Sequence, residues 1–242
     1  MALTTLITIT LAVIAWSLWI RRVTWTCRWE VAATLNIALQ GGAVVLMSPW
    51  AAETLGHWLH ALTGMWGLQA FIGHDLYIVA ASALVYNVLG RLEDDDEMQK
   101  SFKQYVERPA TLCIPLLLAT FSVGNGARIY RADFFQVPTD FWLNMYWLLL
   151  CGTLVYLLAY GSRALMVLRK DPRSRHIANV YLLASVSGVV ACAVRITTAF
   201  ATPIPTLEGS ALVWFFACMC GAGFAIGSAN SWRIKTKWFT KV

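Results

Sequence analysis

The sequence predicts an all-α membrane protein: one bundle of seven transmembrane helices, with the N-terminus outside and the C-terminus in the cytoplasm. Three observations carry that prediction. Hydrophobic residues make up 58% of the 242 residues and charged ones only 13%, about half the charged share usual for a soluble domain. Apolar stretches of about 20 residues, enough to cross a bilayer at about 1.5 Å per residue, recur along the whole length. Lysine and arginine gather in alternate connections, as the positive-inside rule requires.

The first apolar run, LTTLITITLAVIAWSLWI, is closed by Arg21 and Arg22. Its charge follows the run and no small-residue cleavage site comes after, so it reads as an uncleaved helix over 2–20, not a signal peptide. The second span covers 29–48. Beyond it, in PWAAETLGHWLHALTGMWG, Trp50, Leu55, Trp58, Leu59 and Leu62 recur at helical spacing. That pattern predicts a short helix lying on the outer surface. The third span covers 67–90. The charged stretch RLEDDDEMQKSFKQYVER then forms an inner connector, whose Glu93, Asp94, Asp95, Asp96 and Glu97 offer a docking place for a basic protein partner. The fourth span, 107–124, holds Pro109 near its start, where proline is tolerated, and Pro115 in mid-span, which predicts a kink. Spans over 141–168, 177–199 and 210–231 complete the count, the fifth being long enough to extend into the cytoplasm.

Direction follows from the basic residues. Of 19 lysines and arginines, 16 fall in the connections assigned to the cytoplasm. Only Arg128 and Arg131 fall opposite, and Arg195 lies within a span. Tryptophan favours the headgroup level. Trp16, Trp19, Trp25, Trp29, Trp232 and Trp238 fall near the inner face; Trp50, Trp58, Trp66, Trp142, Trp147 and Trp214 fall near the outer one. Membrane lipid is the expected partner. The basic inner surface suits anionic lipid, and the whole chain's net charge of +6 implies no nucleic acid.

Few ionisable groups lie within the spans, and charge at depth tends to face the interior and to pair. By helical rise, Asp75 lies about 5 Å outward of the membrane centre and the Cα of Arg195 about 10 Å. The difference is within an arginine's reach, so an Asp75–Arg195 ion pair is expected, with His74 as a third member or bonded to a neighbouring helix. Asp75, Ser82 and Tyr86 share one face of the third span, and Tyr181, Ser185, Gly188, Cys192 and Arg195 one stripe of the sixth. Such small and polar stripes suit helix contacts in lipid, as do Gly221/Ala225 and Gly223/Gly227 in the seventh. A polar path from Asp75 through Gln40 to Asn36 and Asn87 would suit protons or a small solute.

Other chemistries find too few residues. A retinal Schiff base needs a lysine in the last helix, and no lysine lies within a span. A membrane b-type haem needs paired histidines, and His74 is the sole histidine within a span. His57 and His60, three residues apart on the outer helix, are the weak metal candidates, and two ligands are too few for zinc. His74, Asp75 and Ser82 make an intramembrane hydrolase the enzymatic alternative, but neighbouring residues on a helix point about 100° apart. No cofactor is called for. The six cysteines lie outside the predicted outer loops, so no disulfide framework is expected, and the Cys218–Cys220 pair reads as packing.

The segment LTGMWGLQAFIGHDLYIVAASAL resembles the third-helix region of an actinobacterial family of seven-helix membrane proteins of the transporter type. LVYLLAYGSRALMVLRKDPRSRHIANVYLLASVSGVVACAVRI is similar in layout to that family's fifth and sixth helices, where a basic loop joins two long helices and a basic residue stands near the end of the second. Similar small membrane proteins are encoded by mycobacteriophages. The likeness covers roughly residues 55–200. It implies a non-enzymatic transporter or sensor; the alternative is an interaction protein without a transported ligand, acting on the envelope or excluding other phages.

Overall fold

The computed structural model describes residues 2–28, 30–92, 94–201 and 206–239. The chain is 87% helix, with no strand among the described residues. We label the helices α1 (Ala2–Ile20), α2 (Val31–Met47), α3 (Pro49–Thr63), α4 (Leu68–Leu89), α5 (Asp95–Val123), α6 (Phe141–Leu168), α7 (Arg175–Ala201) and α8 (Leu207–Phe239). Six of them are each long and apolar enough to cross a membrane. The bent pair α2–α3 makes a seventh if it counts as one span.

The bend of 60° between α2 and α3 has a local cause. Pro49 lacks an N–H, and its ring disfavours helical geometry in the residue before it. Ser48 is accordingly extended, and its hydroxyl caps α3 by accepting from the N–H of Ala51 at 3.3 Å. The bend leaves Trp50, Trp58 and Leu62 of α3 well exposed. Gly64 and Gly67 then turn the chain into α4, both with positive φ. A side chain on Gly67 would also strike the Gly126 carbonyl at 2.8 Å. Beside that turn, the Trp66 N–H donates to the Ala127 carbonyl at 2.9 Å.

The acidic stretch differs from expectation. It is helical, not an open connector: α5 begins at Asp95 and continues through a π turn into the apolar helix Arg108–Val123. Asp95, Asp96 and Glu97 occupy its first turn and Lys100 follows a turn later, which suits the positive pole of the helix dipole. Glu93 lies outside the described residues. A π turn over Lys103–Glu107 precedes Pro109. Pro109 has no N–H to offer the Tyr105 carbonyl, and the Tyr156 hydroxyl of α6 donates to it at 2.8 Å instead.

Packing separates core helices from flanking ones. α2, α4, α6, α7 and α8 close around the centre. α1 leans on α8 and α2, while α5 leans on α6 and α4. Protein buries 22% of the apolar window in α1 and in α5, against 56% in α4 and 50% in α7. The glycine pairs of α8 serve two neighbours. Added side chains on Gly223 and Gly227 would run into Ala184 and Tyr181 of α7. Gly221 leaves room for Gln40 of α2, and the Ala225 carbonyl accepts from the Ser17 hydroxyl of α1 at 2.7 Å.

At one end of the bundle Arg21 is wholly enclosed. It meets the Glu30 carboxylate at 2.8 Å, and it also donates to the Thr34 hydroxyl and to the carbonyls of Glu30 and Ser228. Glu30 accepts further from Lys235 and lies 3.7 Å from Arg91. Burial pushes the Glu30 carboxyl up, but the hydrogen bonds from Lys235 and Arg21, with the charges of Lys235 and Arg91, hold it below its ordinary 4.5. This is the most buried ion pair among the described residues. Arg28 and Asp95 add an exposed contact at 3.4 Å.

Candidate interior binding site

α4 turns the stripe His74, Tyr77, Ala81 and Leu84 toward the centre, at the spacing of one helical face. There it meets residues of α2, α6, α7 and α8 around a cavity of about 100 Å³. Most of the lining is apolar or aromatic. The polar groups on it belong to Gln40, His74, Tyr77, Trp147, Arg195 and Trp214, with the thiols of Cys151, Cys192 and Cys220 beside them.

Arg195 is 2% exposed. Its guanidinium lies over the Trp147 ring, 4.1 Å from the centroid, and Nη1 donates to the Phe135 carbonyl at 3.1 Å. Nε and Nη2 have no hydrogen-bond partner among the described residues. His74 is buried among the rings of Phe134, Phe135, Tyr146 and Trp147. Its Nδ1 is 2.7 Å from the Tyr146 hydroxyl, and its Nε2 is without a partner among the described residues. His74 is thus bonded to a neighbouring helix, the second of the roles expected for it.

The expected Asp75–Arg195 ion pair does not form. No oxygen of Asp75 lies within ion-pair distance of Arg195. The reason is azimuth: His74 faces the centre, so Asp75 is turned about 100° away. The same outer face carries Tyr86, whose ring meets Phe102 of α5 edge-on at 5.2 Å. Asp75 lies near Tyr146 and Cys113, and its Oδ1 is buried without a partner among the described residues.

The carboxylate whose charge reaches Arg195 is Asp133. It sits in the connection between α5 and α6 and is 6% exposed. Asp133 accepts from the Phe135 N–H and the Gln136 amide, both at 3.1 Å, from Trp214 Nε1 at 3.3 Å, and from the Ser210 hydroxyl. The backbone of Phe135 joins the two charges, its N–H donating to Asp133 and its carbonyl accepting from Arg195. The sequence carried one signal for this: aspartate two residues before a loop N–H commonly accepts from it. Nothing local signalled its burial. Trp147 and Trp214, expected in the outer belt, are each 1% exposed and line the cavity. Trp50, Trp58 and Trp142 of that belt do face outward. Trp29 lies outside the described residues, as does the side chain of Trp238.

Only part of the expected polar path comes together. Gln40 borders the cavity and donates to Asn36 one turn away on α2. Asn87 lies elsewhere, lining a second cavity of about 440 Å³ with Arg91, Arg173 and Lys235. Asp75 lines neither. His57 and His60 join an aromatic group: His60 stacks on Trp66 at 3.7 Å, and His57 meets Trp66 and Tyr130 edge-on. No third ligand stands with them, and no group of three metal-ligating side chains occurs among the described residues. All six cysteines are free thiols. Comparison with known proteins finds no matching family model, no matching curated protein and no matching solved structure.

Proposed function

We propose that the chain is a seven-crossing integral membrane protein, with its N-terminus outside and its C-terminus in the cytoplasm, that holds a small solute between its helices as a transporter or sensor. The interior cavity carries this reading: a mostly apolar chamber with a few convergent polar groups is the common form of a small-molecule site. A buried ionisable group within a membrane bundle is expensive to keep and tends to mark such a site. The inner-end cluster supports the topology. With strict alternation, the end of α1, the start of α2 and the ends of α4 and α8 meet on one side, and Arg21, Glu30, Arg91 and Lys235 stand at those four places.

The test is a panel of small anionic, cationic and neutral solutes against the purified protein in detergent. A ligand present at about 100 times its Kd stabilises the folded state by about 2.7 kcal/mol, which thermal unfolding detects. Stabilisation by one solute class is the expected result; no stabilisation by any class overturns the reading. A second reading, a membrane interaction protein with no solute, is favoured by the outer surface, where Arg128 and Arg131 are exposed beside the exposed aromatic face of α3. Under it, α3 substitutions such as Trp58→Ala would abolish partner capture while solutes stayed inert.

A further inference from the structure

We propose that the interior cavity binds the carboxylate of a short-chain organic acid, with Arg195 as its principal partner and Trp147 Nε1 and His74 Nε2 as further donors. The proposal rests on the solute-binding reading and names the class of solute.

The wall of this cavity carries several buried hydrogens that have no acceptor among the described residues. Arg195 Nε and Nη2, Trp147 Nε1 and His74 Nε2 are all buried without a partner among the described residues. All three side chains border the chamber. The role of His74 Nε2 follows from the bond network. Tyr146 is 0% exposed, and its hydroxyl meets only His74 Nδ1. A buried hydroxyl with one partner donates its single hydrogen there. Nδ1 therefore accepts, and the hydrogen of the neutral ring lies on Nε2. The carboxylate and the carbonyl beside Arg195 are committed. Asp133 already takes four donors, and the Phe135 carbonyl takes Arg195 Nη1.

Each class of occupant meets this wall differently. Water brings two hydrogens of its own and finds few acceptors for them. An amine repeats the charge of Arg195. A hydrocarbon leaves every donor unpaired, at about 1–3 kcal/mol each. A carboxylate brings two oxygens with about four lone-pair sites and no hydrogen. The open Nε–Nη2 edge of the guanidinium is the fork that such a group engages with two parallel bonds. The rest of the lining, including Leu84, Leu154, Val213 and Phe224, suits a hydrocarbon body. Size limits that body. The volume of about 100 Å³ is below the roughly 150 Å³ that accepts benzene, which suits a chain of about two to four carbons.

The experiment measures binding of propionate, propionamide, propylamine, octanoate and chloride to the full chain in detergent, by calorimetry and by thermal unfolding. Propionate should bind. Propionamide, which lacks the charge, should bind about tenfold more weakly or worse, and propylamine, octanoate and chloride should not bind. Arg195→Lys keeps the charge but loses the fork, and should weaken propionate about tenfold. Trp147→Phe removes one donor while Arg195 keeps its charge, and should weaken propionate at a temperature where variant and wild type are both folded; it keeps the test open if the Arg195 variant fails to fold. Equal binding of propionate and propionamide, displacement by chloride at equal concentration, or undiminished binding in both variants overturns the carboxylate assignment but leaves a solute cavity in place. Absence of any solute effect overturns both.

Discussion

Replacing Glu30 with glutamine tests the charge cluster that ties α1, α2, α4 and α8 together. The substitution keeps the side chain's shape and removes its charge. Arg21 would then keep its bonds to Thr34, Ser228 and the Glu30 carbonyl, but would lose its counter-ion while remaining enclosed. A unit pair about 4 Å apart between charge centres gains about 4 kcal/mol at an effective dielectric near 20. Removing one partner of a buried pair generally costs about 3–5 kcal/mol. Lys235 is 41% exposed and Arg91 27% exposed, so their share is mostly screened by solvent. Because glutamine still accepts one bond from Arg21, we expect a loss of about 3 kcal/mol. The assay is chemical unfolding in mixed micelles, with Arg21→Met and the double variant completing a cycle. The double variant should be more stable than the sum of the single losses implies, since it buries no lone charge. A loss under about 1 kcal/mol, or strictly additive losses, would refute the cluster as described. The pH profile gives an independent check. The Glu30 carboxyl is held below 4.5 in the folded state. Its contribution is therefore complete above that pH and disappears as pH falls through the lowered folded value. Wild-type stability should drop steeply in that acid range, and Glu30→Gln should flatten the drop.

Three further outcomes are expected. A double-mutant cycle between Asp75→Asn and Arg195→Gln should show coupling below about 0.5 kcal/mol, because the two share no partner; a coupling above about 1 kcal/mol would restore the ion pair. Gly227→Ala should destabilise by about 1–3 kcal/mol through collision with the Tyr181 ring, and Tyr181→Leu in the same chain should recover part of the loss in the same unfolding assay. Tyr156→Phe should cost about 1 kcal/mol by removing the donor to the Tyr105 carbonyl, whereas a neutral result would show that the π turn satisfies that carbonyl without it.

Position along each helix was legible in the sequence, and direction around the helix was not. Apolar length located the apolar part of each long helix but not the polar extensions of α5 back to Asp95 and of α8 on to Phe239, because hydrophobicity marks only the part that hydrocarbon would cover. The position of Asp75 and Arg195 along their helices was equally readable. Which face of α4 turns inward depends on its neighbours, and the inward face proved to be that of His74 and Tyr77. Arg21 read as an ordinary flanking charge because its partners are distant in sequence, Ser228 lying 207 residues away. The rule that buried charge finds company held in part: Arg21 with Glu30 obeys it and Arg195 answers to Asp133 through the backbone of Phe135, but Asp75 keeps a buried oxygen without a partner among the described residues. The acidic start of α5 looked like loop because its composition is polar, yet acid in a first turn suits a helix. Trp147 and Trp214, expected in the outer belt, are instead turned inward by packing.

Single cysteines placed near the two chain ends of a cysteine-free variant, then labelled in intact cells with a reagent that cannot cross the bilayer, decide the arrangement on which the rest depends. An odd number of crossings predicts labelling near residue 2 without lysis and near residue 236 only after it. Labelling of both ends under the same condition would contradict the seven-crossing bundle, and with it the placing of the Glu30 cluster on the cytoplasmic side.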